Sequence, residues 1–268
     1  MLIDTHSHVD RYSLINEHAL QSALDQIAEY GILTISNSMD VPSYKQNLEI
    51  SERCDLVVPT FGVHPWNAPQ YVDRLRELDE AIEHSPLIGE IGLDHYFVDS
   101  ASAHADQKKV LEYFLSAAAE QKKIISLHTK GAEKEMLELL DRYDIGRVIV
   151  HWYSGPLDIF RELAARGVYF TVGIEVQHSD HIRAIAAEIP LRKLLTETDN
   201  PGGPKGFVGG PGMPMLVKDI VRGLAEARKT TGKDIVQSVQ ANLVELLEDD
   251  PRLANLRAVV TTAPSPAG

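Results

Sequence analysis

"IISLHTKGAEKEMLELLDRYDIGRVIVH", residues 124–151, carries the rhythm that decides the fold. It opens on a short apolar, β-branched run, "IISL" at 124–127, and closes on another, "RVIVH" at 147–151. Between them "AEKEMLELLDRYD" repeats its apolar residues at helical spacing. Strand, amphipathic helix and strand in succession make a βαβ unit, the building block of a parallel sheet. Both strands run into a histidine, His128 and His151.

The alternation extends in both directions. Upstream strand-like runs are "LID" at 2–4, "ILTIS" at 32–36, "LVVPTFG" at 56–62 and "LIGEIG" at 87–92; downstream are "VYFTVG" at 168–173 and "KLLTET" at 193–198. Helical segments such as "EHALQSALDQIAEYG" and "DQKKVLEYFLSAAAEQ" lie between them, and Gly31 and Gly167 sit where helices should stop. Eight alternations predict an α/β chain of the (β/α)8 barrel type, a distorted TIM barrel. An open doubly wound sheet is the competing arrangement, but the glycine fingerprint it needs after the first strand is absent. "NPGGPKGFVGGPGMP" at 200–214 is too rich in Gly and Pro for regular structure and reads as a loop at the barrel mouth. Two further helical segments follow it. Residues 1–260 are expected to form one domain, with 261–268, "TTAPSPAG", as a frayed, disordered tail.

Composition narrows the function. The chain has 268 residues, 44% hydrophobic and 24% charged, with a formal net charge of −13. That charge argues against a protein that coats nucleic acid through a broad basic surface. It leaves room for an enzyme acting on phosphodiesters, because bound divalent cations reverse the local field. One cysteine, Cys54, excludes an internal disulfide framework and fits a reducing compartment. No basic region followed by an apolar stretch opens the chain, and no apolar run is long enough to cross a bilayer. The expectation is a cytoplasmic protein with no membrane association and no obligate protein partner.

Metal-capable residues cluster at the strand ends. His6 and His8 close strand 1, and residues i and i+2 of a strand project to one face, which suits a metal ion. His64 follows strand 3, Glu90 lies in strand 4, His128 closes strand 5, His151 closes strand 6, and Glu197 and Asp199 close strand 8. In a barrel these ends converge at the C-terminal mouth, where such enzymes keep their active sites. The donors are nitrogen and oxygen without thiolate, which suits Zn²⁺, Mn²⁺, Co²⁺ or Mg²⁺. There are too many for one tetrahedral ion with an open position, so two divalent ions sharing a carboxylate use them better. His18, His84, His104 and His181 fall in or beside helices and read as bystanders.

The motifs "DTHSHVD" at 4–10, "FGVHPW" at 61–66, "GEIGLDHY" at 89–96, "HTKGAE" at 128–133, "HWYSG" at 151–155 and "ETDNP" at 197–201 follow in order. Together they resemble the TatD-like metal-dependent hydrolases of the amidohydrolase superfamily. The resemblance implies a distorted (β/α)8 barrel, a dinuclear site and hydrolysis, often of phosphodiester bonds in DNA. It implies that His6, His8, Glu90 and Asp199 hold one ion and that Glu90, His128 and His151 hold the other, Glu90 being the bridge. The chain departs from the family pattern in three places. Lys130 stands where an arginine is usual, Trp152-Tyr153 where Cys-Phe is more common, and the Gly/Pro-rich run replaces the usual continuation after Asp199. The ligands are retained while the residues expected around the substrate differ.

Other residues keep alternatives. His64 reads as a further ligand, a phosphate contact or a proton donor to the leaving group, against a histidine that only orders the turn before Pro65. Lys130 reads as a substrate-phosphate contact. Glu197 reads as a partner of a ligand histidine or a plain strand-end acid. Glu175 reads as solvated, and Thr5 and Ser7 as facing away from the histidines into packing. Trp66 and Trp152 read as ring-stacking residues or as packing under a loop. No serine, cysteine or lysine nucleophile stands in a recognisable turn motif, so water is the expected nucleophile, with Asp199 accepting its proton. The leading expectation is a deoxyribonuclease that takes DNA or a small phosphodiester. A hydrolase of small esters, lactones or amides, and a catalytically silent metal-binding scaffold, are the competing readings.

Overall fold

A computed structural model describes residues 1–248 and 250–262. Among them eight strands alternate with helices: β1 Leu2–Ser7, α1 Glu17–Tyr30, β2 Ile32–Asn37, α2 Val41–Ser51, β3 Val57–Thr60, α3 Asp79–His84, β4 Ile88–Asp94, α4 Ala101–Gln121, β5 Ile125–Lys130 and α5 Glu133–Tyr143. Then come β6 Val148–Val150, α6 Leu157–Ala165, β7 Tyr169–Val172, α7 Asp180–Glu188, β8 Leu194–Thr196, α8 Lys205–Val208, α9 Leu216–Arg228, α10 Gly232–Leu246 and α11 Ala254–Thr262. This is the predicted parallel α/β order, with extra helices after strand 8. Three details differ from expectation. α4 starts at Ala101 rather than near 106, because the Ser100 hydroxyl caps it by accepting from Ala103 N. The Gly/Pro-rich loop contains the short helix α8. Thr261 and Thr262 belong to α11, while residues 263–268 of the expected tail lie outside the described residues.

The chain divides into two compact units. One comprises residues 1–36, 48–58 and the chain from 170 onward. In it β1 runs parallel to β2, with Leu2 opposite Ile32 and Asp4 opposite Thr34. β7 runs parallel to β8, with Phe170 opposite Leu194 and Val172 opposite Thr196. Threonine hydroxyls join β8 to β1: Thr5 Oγ1 donates to Thr196 O at 2.9 Å and Thr196 Oγ1 to Ile3 O at 2.5 Å. Thr5 and Ser7 are buried, as packing residues should be, but they also bind β8 and the loop that follows it, Ser7 Oγ reaching Asn200 O at 3.4 Å.

Helix α1 forms because Asn16 caps its first turn, accepting from Ala19 N at 2.8 Å, and because Leu20, Ala23, Leu24 and Ile27 share one face. That face packs on Val9, Tyr12, Ile50 and Val57, with the free Cys54 thiol half-buried at the edge. At the far end, a Thr231–Asp234 capping box starts α10. The Asn242 amide of α10 donates to Leu191 O and Leu194 O, both at 2.7 Å, and anchors the helix under β8.

The other unit comprises residues 37–47 and 59–169. Here β4 pairs parallel with β5 (Ile91 opposite Leu127, Gly92 opposite His128) and β5 with β6 (Ile125 opposite Val148). Phe61, just after β3, bridges to Ile88 of β4. The strands are buried on both faces, which is why they read as apolar runs rather than alternating patterns. α5 buries Met136, Leu139 and Leu140 on one stripe, each contributing on the order of 1.5–3 kcal/mol. Lys123 is also buried, its ammonium donating to the carbonyls of Ile82, Glu83 and Ser85 at the end of α3. All three donors are used, which makes the buried charge tolerable.

Candidate metal centre

In the second unit, the site is built around one buried carboxylate. Glu90 Oε1 lies 2.9 Å from His128 Nδ1, 2.8 Å from His151 Nε2 and 3.5 Å from His64 Nε2. His128 Nδ1 and His151 Nε2 are 3.1 Å apart. Glu90 is in mid β4, His128 in β5, and His151 one residue past β6, so neighbouring parallel strands bring them level. Gly92 makes this close approach possible: a Cβ there would stand 2.1 Å from His128 O, and its φ is +155°.

Asp94, at the end of β4, decides the histidine chemistry. Its Oδ2 lies 3.0 Å from His128 Nε2 and accepts from Trp66 Nε1 at 2.7 Å. Its Oδ1 accepts from Tyr96 N at 3.0 Å and Phe97 N at 2.7 Å. Burial pushes this carboxyl up, but the bonds from His128, Phe97 N–H and Trp66 outweigh it and hold the group well below the usual carboxylate range. An ionised Asp94 accepts a hydrogen bond from His128 Nε2–H, leaving the Nδ1 lone pair beside Glu90 and His151. Buried Gln107 of α4 fixes the backbone of Asp94 from both sides, accepting from its N at 2.9 Å and donating to its O at 3.2 Å.

His64 has two tasks. Its Nδ1 accepts from Trp66 N at 3.2 Å and caps the short 3₁₀ turn from Pro65 to Gln70. This puts the ring proton of the neutral form on Nε2, the nitrogen that faces Glu90. Lys130, expected to meet substrate phosphate, points its ammonium at the loop after β6, donating to Trp152 O at 3.0 Å and Ser154 Oγ at 2.7 Å. Trp152 is buried, whereas Trp66 is half exposed.

The first unit supplies a separate donor group. His6 lies in β1 and His8 just beyond it, ring centroids 5.2 Å apart. Asp199 Oδ1 is 3.2 Å from His8 Nε2 and 3.9 Å from His6 Nε2. The backbone sets this up: Asp199 N donates to His6 O, and His8 N to Asn200 O, both at 2.8 Å. Asp199 has φ +53°, a left-handed conformation that Asp tolerates better than most residues. A carboxylate oxygen of Glu197, which is fully buried, lies within 4.8 Å of a ring nitrogen of His6. Asp4 is buried beneath them, accepting from Thr198 N at 2.8 Å and Thr198 Oγ1 at 2.6 Å. Burial, against the Thr198 hydrogen bonds and with the help of nearby Glu197, pushes the Asp4 carboxyl up to about 7. The loop beyond is held close: Tyr12 OH donates to Gly212 O at 2.7 Å, and a Cβ at Gly212 would meet Asn200 Oδ1 at 1.9 Å.

The donor set fits a divalent cation. Around an ion 2.0–2.2 Å from each ligand, neighbouring donors stand about 3.0–3.5 Å apart, and Glu90, His128 and His151 present oxygen and nitrogen at close to that spacing. The Asp94 bond to His128 is the outer support that metal-binding imidazoles require. Sequence reasoning missed Asp94, Asp4 and Gln107. Two of them carried a signal: Asp94 is four residues from Glu90, and Asp4 alternates with His6 and His8, each pair sharing a strand face. Gln107 carried none. His18, His84 and His181 are exposed on helices, and His104 stacks on His95 with centroids 3.9 Å apart.

Comparison with known proteins agrees with this chemistry. The uncharacterised metal-dependent hydrolase YjjV of Escherichia coli K12 is 28% identical over 254 residues, 91% of this chain and 96% of that one. The crystal structure of YjjV, a TatD homolog, superposes with a TM-score of 0.82 at 26% identity, covering 91% of this chain and 97% of YjjV. Human deoxyribonuclease TATDN3 is 21% identical over 271 residues, 95% of this chain and 96% of its own. An uncharacterised amidohydrolase from Saccharomyces cerevisiae, at 15% identity, shares the fold with a TM-score of 0.75 over 92% of this chain and 100% of its own. The family model described as TatD related DNase matches residues 3–248, and the chain belongs to that family of metal-dependent hydrolases.

Proposed function

We propose that this hydrolase cleaves phosphodiester bonds of DNA with two divalent ions, held by His6, His8, Glu90 and Asp199 on one side and by Glu90, His128 and His151 on the other. The observation that carries the reading is Glu90 Oε1 between His128 Nδ1 and His151 Nε2, at 2.9 and 2.8 Å. DNA as substrate is supported by the deoxyribonuclease name of the human relative. The ions, when bound, supply Lewis acidity toward the phosphoryl oxygen and a water that ionises near neutral pH. Asp199 accepts the proton of the attacking water at its carboxylate. Its left-handed backbone, tied to His6 O, positions that carboxylate. His64 Nε2–H serves the leaving oxygen or a phosphate oxygen, while the Trp66 N–H on Nδ1 keeps the proton on that side. Lys130 is assigned to substrate phosphate, its ammonium resting on Trp152 O and Ser154 until substrate arrives. Residues 1–260 make up the catalytic domain in this reading, and a cytoplasmic location is part of it, since a lone cysteine, Cys54, fits a reducing compartment.

No helix among the described residues is long and apolar enough to cross a membrane. The net charge of −13 favours a second reading, hydrolysis of a small ester, lactone or amide by the same residues. One experiment separates them. The protein, loaded in turn with Zn²⁺, Mn²⁺, Co²⁺ and Mg²⁺, is assayed on labelled DNA, a small phosphodiester, lactones and amides. Metal-dependent cleavage of DNA supports the proposal, and turnover confined to carbonyl substrates replaces it with the second reading.

A further inference from the structure

Next to the Glu90–His128 pair, three aromatic side chains stand in the open. Trp66 is 50% exposed, Phe97 63% and Tyr96 73%. Their rings meet edge to face, Trp66 and Phe97 with centroids 6.1 Å apart at 80°, Tyr96 and Phe97 4.8 Å apart at 89°. At these exposures much of each ring stays open to solvent, and contiguous exposed apolar rings mark a binding surface rather than a packed core. Trp66 also meets the His64 ring, centroids 4.7 Å apart. The group is held in place by the one carboxylate that orients His128. Asp94 accepts from the Trp66 indole N–H, from the Phe97 and Tyr96 backbone N–H groups and from His128 Nε2–H.

We infer that Trp66, Phe97 and Tyr96 form a stacking subsite for a planar ring of the substrate, set in register with the reacting bond by Asp94. On a chain of net charge −13, general electrostatic attraction for a polyanion is weak. A face-on contact that tolerates any base adds grip that does not depend on charge. The ring's identity as a nucleobase rests on the DNA reading above; the stacking geometry does not.

The chain's two tryptophans make the test direct. Trp66 is exposed and Trp152 buried, so ring stacking quenches Trp66 selectively. Metal-free protein is titrated with a single-stranded trinucleotide, with its abasic counterpart, and with diphenyl phosphate beside dimethyl phosphate. Saturable quenching by ring-bearing ligands alone, lost in Trp66→Leu, is the expected result. Phe97→Leu and Tyr96→Leu leave the Asp94 bonds intact, because those bonds are to backbone. On the metal-loaded enzyme each should raise KM about tenfold, the order of one lost stacking contact, with kcat little changed. Equal quenching by abasic and base-bearing ligands, or an unchanged KM in both variants, overturns the subsite even if DNA is cleaved. Quenching by diphenyl phosphate with no cleavage of DNA upholds the subsite and removes the nuclease reading instead.

Discussion

Asp94 Oδ2 lies 3.0 Å from His128 Nε2, across a residue pair 34 apart in sequence. The contact selects the imidazole tautomer: the proton goes to Nε2, and the unprotonated Nδ1 keeps its lone pair 2.9 Å from Glu90 Oε1. The same carboxylate accepts from Trp66 Nε1 and from the Tyr96 and Phe97 backbone, so His128 and the exposed aromatic group share one support.

Asp94→Ala should therefore weaken metal binding about 10- to 100-fold, the usual cost of removing such an outer partner. Asp94→Asn should recover part of it, since an amide oxygen still accepts the Nε2 proton. Competition with a chromophoric chelator measures both. Wild-type affinity in the alanine variant would take Asp94 out of this role.

Glu90→Gln should do more damage than any other single carboxylate change. An amide cannot offer two anionic oxygens to two cations, and His128 and His151 lose the charge beside them. Elemental analysis should find about two ions per wild-type chain and less than one in the variant. Full occupancy in Glu90→Gln would exclude it as the shared ligand.

Asp199→Asn separates catalysis from assembly. The amide oxygen can still approach a cation next to His8, but it cannot take the proton of an attacking water. Turnover should drop at least about 10²-fold with much of the metal retained. Occupancy and rate are measured on one preparation. Normal turnover at full metal loading would pass the base role to His64.

Asp4 predicts a pH dependence of stability in the metal-free protein. Its folded pKa of about 7 stands above the unfolded value of 3.8. Between these values the native state binds more protons than the unfolded state, so the contribution is present at low pH and is lost as pH rises to about 7. Asn at this position keeps an acceptor for Thr198 N and never ionises. The stability of Asp4→Asn minus that of wild type should grow across this window, by on the order of a few kcal/mol. Urea unfolding at a series of pH values reads it, and a constant difference would assign the titration elsewhere.

Local periodicity was enough to reveal much of this protein. Short apolar runs marked the strands, most clearly β4 and β6, which are buried along their length, and helical spacing marked the helices between them. His6 and His8 were legible because two residues apart on a strand means one face. The placement of the other histidines and carboxylates followed from where their strands end. What periodicity does not encode is the partner of a side chain across strands. That depends on register between segments far apart in the chain, and on which polar groups burial forces to pair. Tertiary structure alone therefore decided that Asp94 binds His128, that Asp4 is buried under Thr198, and that Lys130 reaches Trp152 O and Ser154. It also decided that of two tryptophans following histidines, Trp152 is covered and Trp66 remains open, because only packed neighbours distinguish a ring in the core from a ring at the surface.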